Sequence, residues 1–237
     1  MLKAHTFSTH TVIEATADTA YVEPNIERTV QEAWDAECKR RGGDVFDGKV
    51  FSVSDISPGR ISGQFVPYRY LIAQRHHPDL YDNLRVRSLA VSGVLHCVSG
   101  VVFGKRHSGV TQDSGMWELA PSGGVGPGCV DEDGKVDLIL QLSEELVEEL
   151  GIEMSAISNA KAFCWIEDEH SHVIDIGIEL RTNLDGRAVQ AAHQAKGSAE
   201  YEELLIVPEN EVVTFVTNQD QTLSPVSRLL LKTTKLL

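Results

Sequence analysis

Basic residues are scarce in this chain of 237 residues, in which 21 lysines and arginines stand against 35 aspartates and glutamates, for a formal net charge of −14. A protein that binds nucleic acid or an anionic membrane needs a basic surface field, so this excess of acids argues against both partners. A phosphate-bearing small molecule is not excluded, because local bases, or a cation held by the acids, would suffice to bind it.

Cysteines and long apolar runs are also lacking. The four cysteines are widely scattered and form no Cys-x-x-Cys pair, so neither a disulfide framework nor a cysteine zinc site is predicted. No run of about 18 apolar residues occurs, which excludes a transmembrane helix. The first ten residues lack the apolar centre of a signal peptide. A reducing cytoplasm is therefore the expected location.

Hydrophobic periodicity and turn residues predict an α/β chain. A helix capped by Asn25 is expected over residues 25–41, and strands at 49–56 and 60–67 should form a hairpin. Further strands are predicted in SLAVSGVLHC, GVVFGKRH, ELLIVP and twice within SNAKAFCWIEDEHSHVIDIGIELRTNL, and a last helix after Ser224. The Gly- and Pro-rich segment DSGMWELAPSGGVGPGCVDEDG predicts a loop.

An acidic helix is predicted over residues 137–150, closed by Gly151. Its C-terminal half carries four acids, Glu144, Glu145, Glu148 and Glu149. They lie at the end where the helix dipole is already negative, and the last three project into roughly one 100° sector. Hard cations such as Mg²⁺ take oxygen ligands, so a divalent ion would turn this repulsion into shared attraction. For an isolated helix, a solvated acidic face is the alternative interpretation.

The surroundings of this helix resemble the signature of the Nudix hydrolase family, which ends in Arg-Glu-apolar-x-Glu-Glu-x-Gly-apolar. The run from Glu144 to Ile152 follows this order, except at the arginine. The preceding PSGGV stands where the family has its Pro-x-Gly-Gly turn, with Gly124 on the signature glycine. The resemblance covers roughly residues 88–220. It implies an α/β fold, the Nudix α/β/α sandwich with a mixed sheet, here preceded by a small N-terminal α+β unit over residues 1–86, with the Nudix domain over 87–237.

Two departures from the signature bear on activity. Glu144 stands at the arginine whose salt bridge usually orients the glutamates. The loop between Gly124 and the helix is about six residues longer than the family spacing. As a result Val130 falls at the position of the usual loop glutamate, with Glu132 only nearby.

Looser patterns narrow the resemblance to a Nudix branch that cleaves UDP-sugars such as UDP-glucose. These patterns are VFDGKVFSV, PYRYLI and FGKRHSG followed by WELAPSGG, and they reach back to about residue 45. If the family roles carry over, Glu145, Glu148 and Glu149 hold Mg²⁺ or Mn²⁺ against a diphosphate, with the Gly124 carbonyl nearby. One of the glutamates would then position or deprotonate the attacking water.

Two further groups of candidates flank this signature. Nudix proteins often recruit another carboxylate from the loop before a late strand, where Glu200, Glu202 and Glu203 are available. Lys105 and Arg106 end a strand that faces the Gly-rich loop, and Arg106 could bind phosphate with both arms of its guanidinium. Solvated side chains are the alternative for each of these residues.

Four residues are weaker candidates for contacts with the base or the sugar. Tyr68 and Arg69 would reach the substrate from the N-terminal unit, although a structural tyrosine at a domain seam is an alternative at least as strong. His170 and His172 would share one face if they lie on a strand. They could ligate zinc, but the sequence has no third ligand at matching spacing, so a polar face of the substrate pocket or plain surface is favoured.

The favoured hypothesis is a Mg²⁺- or Mn²⁺-dependent enzyme that hydrolyses a nucleoside diphosphate sugar, for instance UDP-glucose to UMP and sugar 1-phosphate. One alternative keeps the fold and replaces the substrate with ADP-ribose or a related dinucleotide. Another is a catalytically silent nucleotide-binding protein, because the arginine is missing and the loop is long. An acidic interaction module is a third. The sequence leaves the oligomeric state open.

Overall fold

A computed structural model of the chain describes residues 1–8, 10–17, 21–43, 45–109, 113–219, 222–234 and 236–237. The strands found there are β1 (Leu2–Thr6), β2 (Val12–Ala15), β3 (Lys49–Ser57), β4 (Arg60–Pro67), β5 (Ser88–Cys97), β6 (Gly100–Arg106), β7 (Trp117–Leu119), β8 (Ser122–Gly124), β9 (Ile157–Asp168), β10 (Val173–Thr182) and β11 (Tyr201–Val207). The helices are α1 (Pro24–Arg40), α2 (Tyr68–His76), α3 (Tyr81–Leu84), α4 (Leu138–Leu150), α5 (Gly186–Lys196), α6 (Val212–Asn218) and α7 (Pro225–Thr233). None of these helices is long and apolar enough to cross a bilayer.

The strands form one mixed sheet in the order β1-β9-β10-β5-β3-β4-β2, to which β6, β7, β8 and β11 are added. Strand β10 pairs in parallel with β5, as does β2 with β4. The remaining ladders are antiparallel. Strand β5 is the hub of the sheet, because it pairs with β3, β6, β8 and β10.

Successive side chains of a strand point to opposite faces of the sheet, and helices pack against the apolar side chains on both faces. On β5, Leu89 and Val91 join a core with Leu142 and Leu146 of α4 and Val189 of α5. On the other face, a core of α6, α7 and strand residues contains Val94, Phe103, Ile166, Val216 and Leu230. The α/β fold with a mixed sheet, predicted from the sequence, is confirmed.

A third core belongs to the N-terminal part of the chain. Val30 and Ala33 of α1 pack there with Leu71 and Ala73 of α2 and with Val66 of β4. Strand β3 also connects to β5, through the pair Ser52–Ser88. The division into residues 1–86 and 87–237 stays a prediction.

Several sequence predictions are confirmed, and two need correction. The β3–β4 hairpin, the strands β5, β6, β9, β10 and β11, and the last helix lie where expected. Asn25 does not cap α1, which begins at Pro24 after Glu23, because proline is pre-organised for the first helical position. The predicted Gly- and Pro-rich loop contains the short strands β7 and β8, which lie on β6 and β5.

Candidate functional site

Helix α4 forms as the sequence predicts, and its two ends fix it against the sheet. At its start, the Asp137 carboxylate accepts hydrogen bonds from the backbone N–H of Ile139 at 2.9 Å and of Leu140 at 3.0 Å. At its end, Gly151 adopts the left-handed conformation, with φ of 66°, that glycine allows. The buried leucines of α4 face the sheet, and this places its acidic sector beside the Gly-rich turn at β8.

Glu145 lies directly against that turn. A Cβ atom built on Gly123 would overlap the Glu145 carboxylate, so only glycine permits this approach. The Gln141 amide donates a hydrogen bond to Glu145 Oε1 at 2.9 Å. Burial raises the pKa of Glu145 to about 7, because a charged carboxylate loses its hydration there.

Glu149 lies deeper, with 1 % of its surface exposed. Its Oε2 accepts a hydrogen bond from the Ser122 backbone N–H at 2.9 Å and lies 3.3 Å from the Tyr201 hydroxyl. Its Oε1 has no hydrogen-bond partner. Burial, followed by the charge of Glu200, raises the pKa of Glu149 well above its usual value. An unpartnered buried carboxylate oxygen is costly, which makes this atom the clearest candidate for contact with a ligand.

Glu118 of β7 completes the buried part of the site, and the sequence reasoning missed it. Its Oε1 accepts hydrogen bonds from Arg106 at 2.5 Å, from Tyr201 at 2.9 Å and from the Ser122 hydroxyl at 3.1 Å. Burial raises the pKa of Glu118. The Tyr201 hydroxyl carries one proton and donates to one carboxylate at a time, so Glu149 is the less satisfied of the two.

Arg106 connects these buried acids to the loop before β11. Besides Glu118, its guanidinium contacts Glu200 at 3.0 Å. Although burial lowers the pKa of Arg106, Glu118 and Glu200 raise it above its usual value, so the side chain stays charged. We call Glu118, Glu145, Glu149 and Glu200, with Arg106 among them, the carboxylate cluster.

The other two acids of the late loop lie apart from this cluster. Glu202 forms an ion pair with Lys105 at 2.7 Å, and both side chains are about one third exposed, at 35 % and 34 %. Glu203 is exposed. Only Glu200 lies before β11, whereas Glu202 and Glu203, predicted in the same loop, lie on the strand itself. Of these three described carboxylates, Glu200 is the one that contacts Arg106.

Glu148 and Gly124 border the site at its open side. The Glu148 side chain is exposed, and its backbone carbonyl accepts a hydrogen bond from the Ser198 N–H at 2.8 Å. A second bond, between His193 Nδ1 and the Glu149 carbonyl at 2.8 Å, also ties the α5 end to α4. Gly124 is exposed at the end of β8, with open space where a side chain would be.

Tyr68 and Arg69 belong to the packing of the N-terminal helices. Tyr68 meets the Trp34 ring edge to face, with centroids 6.0 Å apart. The Arg69 guanidinium contacts Asp47 at 2.5 Å and Glu27 at 3.1 Å. Both side chains therefore contact other residues of the N-terminal part of the chain. The role of Tyr68 and Arg69 in substrate binding stays a prediction.

His170 and His172 do not share a strand face, because both lie in the turn between β9 and β10. Two residues of a turn lack the alternation that the expectation assumed. The His172 ring stacks on Tyr81 with centroids 3.5 Å apart, and its φ is 56°. Burial lowers the pKa of His172. His170 is exposed.

Among the side chains that the structure describes, no group of three or more His, Cys, Asp and Glu residues is gathered closely enough to hold a metal ion. The hydrogen bonds above give the physical reason. Gln141 donates to Glu145, and Ser122 donates to both Glu149 and Glu118, so that hydrogen-bond donors of the protein already occupy these carboxylates.

Three residues of the site had signals in the sequence that were not read as functional. Glu118 lies inside the WELAPSGG segment, and Tyr201 follows Glu200 directly. Gln141 precedes Glu145 by four residues, the spacing at which helix side chains meet. Only the fold shows that these residues converge.

Comparisons with known proteins give structural likenesses without sequence support. No family model matches the chain, and no curated protein matches it. It is similar to the NUDIX domain of Shewanella oneidensis NrtR, complexed with ADP ribose (14 % identity, 66 % of this chain, 95 % of that one, TM-score 0.46). It is also similar to a bifunctional NMN adenylyltransferase/ADP ribose pyrophosphatase from Francisella tularensis (13 % identity, 70 % of this chain, 47 % of that one, TM-score 0.43). A third similar structure is a NUDIX hydrolase from Nitrosomonas europaea (11 % identity, 62 % of this chain, 86 % of that one, TM-score 0.40). With TM-scores below 0.5, these likenesses carry no argument about function, and the α/β fold rests on the chain's own sheet and helices.

Proposed function

We propose that this chain is a Nudix-type hydrolase that cleaves the diphosphate of a nucleoside diphosphate sugar with the help of a divalent cation. UDP-glucose, which would give UMP and glucose 1-phosphate, is the reference substrate. The proposal rests on the likeness of PSGGV and EELVEELGI to the family signature and on the carboxylates that these segments bring together.

One observation carries the proposal, namely that a half-buried and a buried carboxylate of the signature lie on one side of α4 and that the buried one is incompletely satisfied. Glu145 and Glu149 are one helical turn apart, and Oε1 of Glu149 has no partner. Like charges at this spacing repel each other, and burial removes the water that would screen them. Burial raises the pKa of both carboxyls, so that either a proton or a bound cation would relieve this repulsion.

The residues present fit a hard divalent cation in their chemistry. Mg²⁺ and Mn²⁺ prefer carboxylate and carbonyl oxygens, and Mg²⁺ is commonly bound by one or two carboxylates together with substrate phosphates. Glu145 and Glu149 would hold the ion, with Glu148 and the Gly124 carbonyl at the open side. When bound, such an ion polarises phosphoryl oxygens and lowers the pKa of a water molecule.

The remaining residues of the site position these acids. Arg106 uses its guanidinium on Glu118 and Glu200, so it would reach a phosphate only by giving up one of these partners. Glu200, with 35 % of its side chain exposed, is the member of the carboxylate cluster best placed to accept a proton from water at the cluster's edge. The free cysteines, Cys38, Cys97, Cys129 and Cys164, suit a reducing compartment such as the cytoplasm.

A catalytically silent nucleotide-binding protein is the second candidate. The observation that favours it is the exposed acid Glu144 at the arginine position, together with the separate partners of Glu145 and Glu149. ADP-ribose is the alternative substrate for an active enzyme, since none of the described residues in the carboxylate cluster distinguishes one base from another.

The test is hydrolysis of UDP-glucose and ADP-ribose by the purified protein with Mg²⁺ or Mn²⁺, followed by ³¹P NMR of the products. We expect product formation that falls by about 100-fold or more in Glu149→Gln and Glu145→Gln. The exposed Glu144→Gln on the same helix is the matched control and should retain activity. Nucleotide binding without turnover would support the silent protein, and the absence of both metal and nucleotide binding would leave the acidic interaction module.

A further inference from the structure

Gln141 is a buried amide whose two ends connect the Gly-rich turn to the acidic helix. It is 5 % exposed. Its Nε2 donates to Glu145 Oε1 at 2.9 Å, and its Oε1 accepts from the Gly126 backbone N–H at 2.8 Å. A buried amide with donor and acceptor both used has one orientation, so its donor is fixed toward the carboxylate.

The residue at the signature's arginine position is unable to perform this task. Glu144 is an exposed acid and has no proton donor for a neighbouring carboxylate when it is ionised. Gln141 lies one helical turn before Glu145, on the same side of α4, where i and i+4 side chains meet. Position 144 offers Glu145 no hydrogen-bond donor, and the Gln141 amide, one helical turn earlier, supplies one instead.

We propose that Gln141 is the positioning residue that orients the Glu145 carboxylate toward a divalent cation, in place of the missing signature arginine. This inference rests on the proposed function. Gln141 acts from both sides, because it holds Glu145 and also the Gly-rich turn against which Glu145 lies. A neutral amide orients the carboxylate without adding positive charge, whereas an arginine would neutralise much of the charge that a cation binds.

Gln74 provides a matched control within the same chain. It is 4 % exposed and lies on α2, in the N-terminal core. Its Nε2 donates to the Val86 carbonyl at 2.9 Å, and its Oε1 accepts from the Val86 N–H at 2.9 Å. Replacing Gln74 by methionine therefore removes one donated and one accepted hydrogen bond, as Gln141→Met does, but neither of them involves a carboxylate.

The experiment is a titration of the full chain with Mn²⁺, in which electron paramagnetic resonance reports free and bound ion, in wild type, Gln141→Met and Gln74→Met. Thermal melting by circular dichroism is recorded alongside. We expect Gln141→Met to lose about tenfold or more in Mn²⁺ affinity, since hydrogen bonds to charged groups are among the stronger ones. Gln74→Met should bind Mn²⁺ like wild type although it melts earlier. Gln141→Asn, which keeps the amide and shortens its reach, should show the same loss if Gln141→Met does not fold.

The outcomes separate this inference from the proposed function. Wild type that binds Mn²⁺ and hydrolyses UDP-glucose, while both Gln141 variants keep its affinity, would overturn the role of Gln141 alone. An equal loss in Gln74→Met would overturn it too, because the effect would then follow general stability. Wild type without Mn²⁺ affinity would remove the proposed function, and this inference with it.

Discussion

Asp175 on β10 gives the sharpest prediction about stability. It is 7 % exposed, its Oδ2 accepts a hydrogen bond from Ser92 at 3.0 Å, and its Oδ1 has no partner. Burial raises the pKa of its carboxyl from 3.8 to about 7. The folded protein therefore holds a proton that the unfolded chain releases above its ordinary pKa. Stability from this group is fully present below about pH 4 and is lost as the pH rises toward 7.

The magnitude follows from the shift. A change of about 3 pKa units corresponds to roughly 4 kcal/mol between the fully protonated and fully ionised limits. Asp175→Asn is neutral at every pH and avoids this loss. Its amide leaves one donor without an acceptor, at a cost of about 1–3 kcal/mol. We therefore expect the variant to be more stable than wild type by about 1–3 kcal/mol above pH 8.

The assay is urea unfolding of wild type and Asp175→Asn at pH 5.5, 7.0 and 8.5. The difference in the free energy of unfolding should grow by about 2 kcal/mol from the lowest to the highest pH, with the variant favoured at high pH. Asp55→Asn, at an exposed position of β3, is the control and should change little. A difference between wild type and Asp175→Asn that is independent of pH would refute the reasoning, because the carboxyl would then not titrate differently in the two states.

Three further predictions concern single side chains. Gly123→Ala should displace the Glu145 carboxylate and lower Mn²⁺ affinity about tenfold, measured by titration, since the new Cβ would overlap that group. Glu37→Gln should cost about 2 kcal/mol of unfolding free energy at pH 7. The hydrogen bond from Arg40 lowers the pKa of Glu37 to about 2, so wild type should lose this stability, and the difference from the variant, as the pH falls from about 4.5 to 2. Tyr201→Phe should lower the unfolding free energy by about 1–2 kcal/mol in urea, because the buried carboxylates of Glu118 and Glu149 lose the one donor that they share.

Each of these three variants has a matched control. Gly124→Ala, where a Cβ meets open space, should keep Mn²⁺ affinity, and an equal loss there would contradict the steric argument. Glu32→Gln, at an exposed position of α1, should be nearly neutral, and so should Tyr21→Phe, because Tyr21 is 82 % exposed. If Glu37→Gln or Tyr201→Phe unfolded at the same urea concentration as its control, the assigned hydrogen bonds would contribute nothing measurable.

The sequence predicts long, periodic elements well, because their pattern is local. Helix α4 shows this, since its leucine spacing, the cap at Asp137 and the stop at Gly151 are all visible in one short segment. Strands β7 and β8 were missed because each has only three residues, and two of the residues in β8 are glycines. Such short strands form because a neighbouring strand offers hydrogen bonds, and the amino-acid preferences of three residues do not reveal that neighbour.

The candidate site divides in the same way. Glu145 and Glu149 follow from the spacing of one helix, but Glu118 comes from β7 and Glu200 from the loop before β11. Arg106 joins Glu118 and Glu200 through ion pairs of 2.5 Å and 3.0 Å. Convergence of this kind depends on strand pairing over long sequence separations, so it was open until the fold was known.

The charge balance of the carboxylate cluster has a consequence for the order in which ligands arrive. The cluster contains four acids and one guanidinium, which pairs with Glu118 and Glu200. Under the proposed function, the ionised cluster would repel a free diphosphate, itself an anion, whereas a nucleotide that arrives in complex with a divalent cation would bring the neutralising charge with it. If that function holds, occupancy by a sugar nucleotide should depend on the concentration of the ion–nucleotide complex, and excess chelator should empty the site even when nucleotide is abundant.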